Sequence, residues 1–247
     1  MATLDAMTGV RYKRGRKGLW VAAEGQVYED FDPDVHVVKL KDQFPIPASW
    51  RRCRAVDFGY TNPFVCGWGA TDEDGRLYLY REIYMTQRTV KVHSAQINTL
   101  SAGERIEQTV ADHDAEDRAT LHENGIYTIA AKKDISLGIQ AVEERLKIQG
   151  DGRPRLYIFE NALVEADPSL YKEMPGDSGP TNTEQEFTNY IWPKAADGKS
   201  KKEVPLDLYN HGMDMLRYMV MFLDGGLGEM TLGKAPDSLS EYFGGVG

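Results

Sequence analysis

The middle of the chain contains two kinds of hydrophobic pattern. Short runs that alternate every second residue, or that stay apolar, predict strands, and apolar residues three or four positions apart predict helices. The predicted strands cover residues 54–58, 64–70, 76–85, 107–111, 126–131 and 155–159. The predicted helices cover residues 89–100, 117–124, 136–148 and 207–223. An antiparallel meander followed by alternating helices and strands predicts an α/β fold, with a mixed sheet of five or more strands and helices on both faces.

Turn and cap residues fix some of these boundaries. The segment Thr71-Asp-Glu-Asp-Gly75 ends in an Asp-Gly pair, which predicts a tight hairpin turn between antiparallel strands. Ser136 is the expected cap of the helix over 136–148, and Gly150 is its expected stop.

Regions outside this pattern divide the chain. Residues 1–50 lack the regular pattern and are expected to be an N-terminal extension or linker. The pattern predicts one domain over residues 51–224, with an irregular, proline-containing insertion at about 160–206. The glycine-rich residues 225–247 lack periodicity and predict a flexible tail.

Composition and charge narrow the function class only a little. A net charge of −9 argues against a protein that holds polyanions on a broad basic face. A site built from several carboxylates is nevertheless acidic when empty, and bound metal reverses its local charge. No apolar run approaches the ~20 residues of a membrane helix, and the N-terminus lacks the apolar core of a secretory signal. Cys53 and Cys66 have no zinc-ligand spacing, which fits a reduced intracellular setting and two small buried side chains.

Polar residues near the C-terminus share one face of the last predicted helix. They are Asp207, His211, Asp214 and Tyr218. At about 3.6 residues per turn, positions three or four apart project in roughly the same direction. Carboxylates and an imidazole on a helix that packs against a core are costly unless something, such as a divalent cation, compensates them. Asp214 is the expected ligand and Asp207 the acid at the helix start, while a lone histidine is more commonly a satisfied core residue.

Other aspartates lie where this topology would bring them to Asp214. Asp57 ends the first predicted strand, and Asp112 follows the fourth. If these strands are parallel neighbours, their ends place the two carboxylates side by side, and a helix packed across that edge supplies the third. Each acid also has a simpler interpretation, with Asp57 before Gly59 as a turn residue and the run 112–117 as a helix-capping segment.

Aspartates gathered at one edge of a sheet suit phosphodiester chemistry. Three ionised carboxylates can share a small site only with cations between them. Mg²⁺ prefers oxygen ligands and keeps several waters, so a few carboxylates are enough. Two divalent ions about 3.5–4 Å apart can activate water and stabilise the leaving oxygen of an in-line displacement. The sequence therefore predicts metal binding by Asp57, Asp112 and Asp214.

Several segments carry a resemblance to a known family. They are Trp20-Val-Ala-Ala-Glu-Gly25, Val56-Asp57-Phe-Gly59, Ala111-Asp112-His-Asp114-Ala-Glu116, Gly125-Ile126 followed by Lys132-Lys133, and His211-Gly-Met-Asp214-Met-Leu-Arg217-Tyr218. In this order and spacing, most of residues 8–224 resembles the nuclease domain of the large terminase subunit of tailed bacteriophages. The resemblance implies a ribonuclease H-like fold and metal-dependent endonucleolytic cutting of concatemeric DNA during genome packaging, largely without sequence preference.

The acids of the family carry over to this chain position by position. The resemblance implies that Asp57, Asp112 and Asp214 are the catalytic acids and that they bind two Mg²⁺ or Mn²⁺ ions. Asp114 is the alternative to Asp112 as a metal ligand. Asp112 is preferred because residues 109–111 have the pattern of the strand that delivers it.

Assisting roles fall on basic residues. The resemblance implies that His211 is a ligand or orients the attacking water, and that Lys132, or alternatively Lys133, contacts the scissile phosphate. The expected DNA contacts are Lys133, Lys194, Lys199, Lys201 and Lys202. Each basic cluster taken singly is better explained as solvated surface.

The resemblance also implies partners and a setting. Large terminase subunits carry a packaging ATPase ahead of the nuclease domain, but no Walker A motif occurs in this sequence. The chain is therefore expected to be an isolated nuclease portion, monomeric and without ATPase activity, with residues 1–50 as the linker from the missing ATPase region. Expected partners are double-stranded DNA and, in the full assembly, the portal, the small terminase subunit and the ATPase domain. The expected location is the cytoplasm of the infected bacterial host, with no membrane partner.

Other interpretations stay open at this point. Asp57-Phe-Gly-Tyr-Thr61 fits the phosphate-binding turn of actin-like or sugar-kinase-like phosphotransferases, although no second glycine-rich loop is found. The acids could be structural in a non-catalytic module that docks on a portal or on DNA. The same fold could also serve a resolvase-like or transposase-like nuclease, or one that cuts RNA/DNA hybrids.

Overall fold

One mixed sheet of seven strands organises the described part of the chain. The structure is a computed structural model that describes residues 25–170, 179–193 and 204–225. The strands are β1 Val37–Val38, β2 Arg51–Asp57, β3 Phe64–Thr71, β4 Leu77–Met85, β5 Gln108–Ala111, β6 Thr128–Ala130 and β7 Leu156–Phe159. Their order across the sheet is β1-β7-β4-β3-β2-β5-β6. The β2–β3 and β3–β4 pairs are antiparallel, and the other neighbouring pairs are parallel.

Helices cover both faces of this sheet. They are α1 Pro33–His36, α2 Val90–Leu100, α3 Ala115–Glu123, α4 Ile135–Leu146, α5 Thr183–Asn189 and α6 His211–Asp224. Short 3-10 turns lie at Leu40–Asp42 and Pro168–Leu170. Side chains of α4, α5 and α6 join the core on one face, and side chains of α2 and α3 join the core on the other. The predicted fold class is therefore confirmed: the chain has an α/β fold of the ribonuclease H-like kind, with a mixed sheet and helices on both faces.

The strand predictions match the observed strands to within a few residues. The predicted hairpin turn is also confirmed, because the Gly75 amide donates to the Asp72 carbonyl oxygen at 3.1 Å. Gly75 has a φ of 78°, a backbone conformation that glycine adopts without strain. The predicted adjacency of the first and fourth strands is confirmed as the parallel β2–β5 pair.

The start of α4 differs from its prediction. Asp134, and not Ser136, caps this helix, because the Asp134 carboxylate accepts a hydrogen bond from the Leu137 amide at 2.8 Å. Ser and Asp are both good cap residues, so the sequence alone does not separate two candidates this close together.

The start of α6 is a second correction. The helix begins at His211 rather than at residue 207. Tyr209 has a left-handed backbone conformation, with a φ of 55°, and such a residue interrupts a right-handed helix. Asp207 therefore lies outside the helix, where its Oδ1 accepts a hydrogen bond from the Asn210 side-chain amide at 3.1 Å.

The described part of residues 1–50 packs against the domain. β1 extends the sheet as a parallel neighbour of β7. Tyr28 and Phe31 are buried, and the Phe31 ring stacks on Phe187 of α5 with ring centroids 4.0 Å apart. The residues after Gly25 therefore add to the core, while the domain boundary at residue 50 stays a prediction.

Glycines on β3 let α6 pack close to the sheet. A Cβ on Gly67 would lie 2.5 Å from Met215 Sδ, and a Cβ on Gly69 would overlap Met219 Sδ. Both methionines are fully buried. The close packing of α6 over β2, β3 and β5 sets how near its polar residues come to the end of β2.

The two cysteines lie in the core of the sheet. Cys53 and Cys66 are buried and free, as expected, and burial raises the pKa of each thiol to about 12. Among the helices that the structure describes, none is both long and apolar enough to cross a membrane.

Candidate active site

Asp57 and Asp112 lie side by side at one edge of the sheet. Asp57 is the last residue of β2, and Asp112 directly follows β5, the parallel neighbour of β2. The Asp112 amide donates a hydrogen bond to the Val56 carbonyl oxygen at 3.1 Å, so the strand pairing continues up to the two acids. Asp57 is only 5% exposed, because α6 packs over this end of β2.

The first turn of α6 brings the remaining acid to the same place. Burial raises the pKa of Asp57 to about 6. The hydrogen bond from His211 opposes this shift, and the charges of Asp214 and Asp112 add to it. The pKa of the Tyr218 hydroxyl is raised by burial and then by the charges of Asp57, Asp214 and Asp112. The charges of the three predicted acids therefore act on one another and on Tyr218.

Two of these carboxylates pair with protein cations. Lys133 Nζ contacts Asp112 Oδ1, and the Arg217 guanidinium contacts Asp214 Oδ1 from the next turn of α6. Burial raises the pKa of Asp214, and the charge of Arg217 opposes that shift. Arg217 is itself buried, and its Nε and Nη1 have no hydrogen-bond partner within the described chain.

His211 supplies the third pair. Its Nδ1 lies 3.0 Å from Asp57 Oδ2. Burial acts to lower the pKa of His211, but the hydrogen bond and the charge of Asp57 outweigh it, so the pKa is raised overall. His211 therefore keeps its proton to higher pH than a free histidine, and it is hydrogen-bonded to a site acid rather than to the core.

The donor set suits hard divalent cations, although each acid is turned to its own protein cation. Carboxylate oxygens are the ligands that Mg²⁺ and Mn²⁺ prefer. Among the described residues, no three His, Cys, Asp or Glu side chains are placed so that they could hold a metal ion together. Asp112 faces Lys133 and Asp214 faces Arg217, so a divalent cation has to compete with these protein cations for the carboxylates.

Asp114 is engaged at a helix start. It caps α3, and its Oδ1 accepts a hydrogen bond from the Asp117 amide at 2.9 Å. Asp112 lies beside Asp57, because its amide donates to the carbonyl oxygen of Val56, the residue before Asp57. The geometry thus favours Asp112 over Asp114, while the ligand role itself stays a prediction.

The two adjacent lysines point to different places. Lys133 reaches Asp112. Lys132 Nζ instead lies at the C-terminal end of α6, 3.4 Å from the position that a Cβ on Gly225 would take. Lys133 is therefore the lysine at the carboxylates, and the predicted roles of both stay untested.

Some predicted features lie outside the described residues. These are residues 1–24, with most of the Trp20–Gly25 segment, the tail 226–247, and the expected DNA contacts Lys194, Lys199, Lys201 and Lys202. Their roles stay predictions.

Two buried acids behind the site were missed by the sequence analysis. Glu186 of α5 accepts hydrogen bonds from the Met213 amide at 2.8 Å and from the Tyr84 hydroxyl at 2.7 Å. Glu82 of β4 accepts from the amide and the hydroxyl of Thr183 at 2.9 Å and 2.8 Å. Burial raises the pKa of Glu82 to about 8 and that of Glu186 to about 7.

Arg217 was also missed as a partner of Asp214. Here a signal was present, because oppositely charged side chains three positions apart are neighbours on a helix. No comparable signal marks Glu82 or Glu186, since their partners come from other elements.

Known proteins were compared with this chain. No protein-family model and no curated protein matches it. Among solved structures, the large terminase from a thermophilic bacteriophage, in complex with ADP, matches with a TM-score of 0.63 and 25% sequence identity, over 89% of this chain and 50% of that chain. The P22 large terminase nuclease domain matches with a TM-score of 0.58 and 15% identity, over 82% of this chain and 94% of that one.

The two matches cover different shares of the known proteins. The chain spans about half the length of the thermophilic phage terminase, with coverage of 50%, and 94% of the isolated P22 domain is covered. At 15% identity the P22 match shows the fold alone. In its structure, the chain matches the nuclease domain of the large terminase subunits of bacteriophages.

Proposed function

We propose that the chain is a metal-dependent nuclease that hydrolyses phosphodiester bonds of DNA and acts in phage genome packaging. The observation that carries this proposal is that Asp57 and Asp112 end neighbouring parallel strands, and that the first turn of α6, which contains Asp214, is joined to Asp57 by the His211 hydrogen bond. The structural match to terminase nuclease domains supports it. The cut is proposed to be endonucleolytic and largely independent of sequence.

The proposed reaction needs oxygen ligands for the metal ions and a carboxylate in a fixed orientation. Two divalent cations, Mg²⁺ or Mn²⁺, held by Asp57, Asp112 and Asp214, would supply an activated water and positive charge at the leaving oxygen. His211 is hydrogen-bonded to Asp57 and so fixes the direction of that carboxylate. Lys133 brings a positive charge to the same site, where a phosphate oxygen of the substrate could bind it.

The proposed partners follow from the same match. The substrate is double-stranded DNA, cut as a concatemer in the cytoplasm of the infected host. In the full assembly the chain would work with an ATPase domain, the portal and the small terminase subunit. Lys194, Lys199, Lys201 and Lys202 are proposed DNA contacts, because lysines fix a protein on phosphates without reading sequence.

A plasmid-nicking assay tests this proposal. Supercoiled plasmid is incubated with the protein and Mn²⁺ or Mg²⁺, and with Asp57→Ala and Asp214→Ala variants. We expect nicking by the wild type and a loss of about a hundredfold or more in either variant. The control is Asp207→Ala, an exposed acid before α6, which should nick like the wild type.

The same assay also tests the docking module, and a thermal-shift measurement tests the phosphotransferase. An intact plasmid with the wild type, or equal nicking by the wild type and both variants, would contradict the nuclease proposal. The first of these results would favour the docking module. Stabilisation by ATP in a thermal-shift measurement would instead favour the phosphotransferase.

A further inference from the structure

The N-terminus of α6 is capped by a carboxylate from another helix. The first amides of a helix have no acceptor within that helix. The Asn210 side chain, at the cap position of α6, makes no cap hydrogen bond. The Met213 amide donates instead to Glu186 Oε2 at 2.8 Å, and the Gly212 amide also stabilises this carboxylate. The start of α6 is therefore held by α5.

Glu186 is in turn fixed by the sheet. The Tyr84 hydroxyl donates to Glu186 Oε1 at 2.7 Å. Glu82 lies two residues earlier on β4, so its side chain points to the same face of the strand, and it holds Thr183 at the start of α5. Two links thus run from β4 to α5, and the link through Glu186 continues to α6.

The contact between α5 and α6 is also sterically tight. A Cβ on Gly212 would overlap Thr183 Oγ1 and would lie 2.9 Å from Thr183 Cα. Gly212 follows His211 directly and lies in the same turn as Asp214. A displacement of this turn would therefore move both site residues together.

We infer that Glu186 is a positioning residue for the proposed nuclease site, because its carboxylate sets the place of the first turn of α6 and hence of His211 and Asp214. Its consequence for cleavage rests on the proposed function. The effect of Glu186 on the position of α6 does not rest on that function, because Glu186 acts through the Met213 amide. An apolar side chain of similar length would fill the same space and leave that buried amide without an acceptor.

The experiment compares three variants by two independent measurements. Glu186→Met removes the acceptor, and Glu186→Gln keeps an acceptor oxygen. Glu184→Met is the matched control on the same helix, where the charges of Lys39 and Glu160 act on Glu184. Hydrogen exchange of the Met213 amide is followed by NMR, and plasmid nicking is measured with Mn²⁺.

The expected result is specific to the acceptor. In Glu186→Met, the Met213 amide should exchange at least about tenfold faster and nicking should fall at least about tenfold, because this buried amide loses its acceptor. Glu186→Gln should stay within about threefold of the wild type in both measurements, and Glu184→Met should match the wild type. If Glu186→Met does not fold, Tyr84→Phe, which removes only the hydroxyl that anchors Glu186, should show the faster exchange.

Other outcomes would overturn either the positioning role of Glu186 or the proposed nuclease function. Unchanged Met213 exchange in Glu186→Met, or equal effects of Glu186→Met and Glu184→Met, would overturn the positioning role. If the wild type does not nick DNA at all, the proposed function fails, and the exchange measurement still decides whether Glu186 holds the first turn of α6.

Discussion

Replacing Glu82 with glutamine tests how a buried carboxyl group sets the pH dependence of folding. Glu82 is 1% exposed, on the face of β4 that holds α5. Burial raises its pKa from an ordinary value of 4.5 to about 8. Hydrogen bonds from Thr183 oppose this shift, and the charges of Glu186 and Glu184 add to it. The folded protein therefore keeps a proton on Glu82 that the unfolded chain has already lost.

The sign and size of the effect follow from this proton. Because the folded-state pKa is raised, the stabilisation is fully present below about pH 4.5 and is lost as the pH rises through about 8. Between these values the folded state binds about one more proton, so the free energy of unfolding falls by about 1.4 kcal/mol per pH unit. The Glu82→Gln variant has no proton to lose. Its stability relative to the wild type should rise by about 3 kcal/mol between about pH 5.5 and about pH 7.5.

Urea denaturation at the two pH values measures this difference. Free energies of unfolding are obtained by linear extrapolation for the wild type and for Glu82→Gln. Glu144→Gln is the control, because the hydrogen bond from Lys147 lowers the pKa of Glu144, so this carboxyl stays ionised across the whole window. A difference between Glu82→Gln and the wild type that stays constant to within about 0.5 kcal/mol would refute the reasoning.

The remaining predictions concern the packing of α6 and the two lysines. Gly212→Ala should lower the free energy of unfolding by about 1–3 kcal/mol, because the added Cβ meets Thr183. Gly150→Ala, where a Cβ meets nothing within 4 Å, should change it by less than about 0.5 kcal/mol in the same urea denaturation, and equal effects would contradict the packing argument. In the nicking assay Lys133→Ala should lose at least about tenfold in rate and Lys132→Ala much less, since Lys133 is the one of these two lysines that contacts Asp112. The reverse order would show that Lys132 is the assisting residue.

The sheet and the position of its acids could be predicted from the sequence because both depend on local patterns. β2 and β5 are short apolar runs, and each is followed by an aspartate, so their parallel pairing places Asp57 beside Asp112. Asp214 could be added because the spacing of polar residues on α6 repeats at a helical period. In each case the position of the acid could be predicted from the pattern of residues next to it in the sequence.

Residues whose position depends on a partner far along the chain could not be predicted from the sequence. The helix was predicted to start at Asp207, but Tyr209 has a left-handed backbone conformation and the helix starts after it. Glu186, and not a residue of the preceding segment, accepts the hydrogen bond from the Met213 amide. Glu186 lies in a short helix within the irregular region 160–206, and its three partners come from β4 and α6. Periodicity within one segment contains no information about such a contact.

The pairing of each acid with a protein cation explains how three carboxylates can lie together, and it also indicates where the site can open. Mutual repulsion is offset in the folded chain by His211, Arg217 and Lys133. His211 and Arg217 are fixed in place, because both belong to α6 and their side chains are only 19% and 3% exposed. The Lys133 side chain is 44% exposed, so moving its ammonium group into water costs little. A cation that enters the site therefore displaces Lys133 from Asp112 more easily than it displaces His211 or Arg217 from the other two acids.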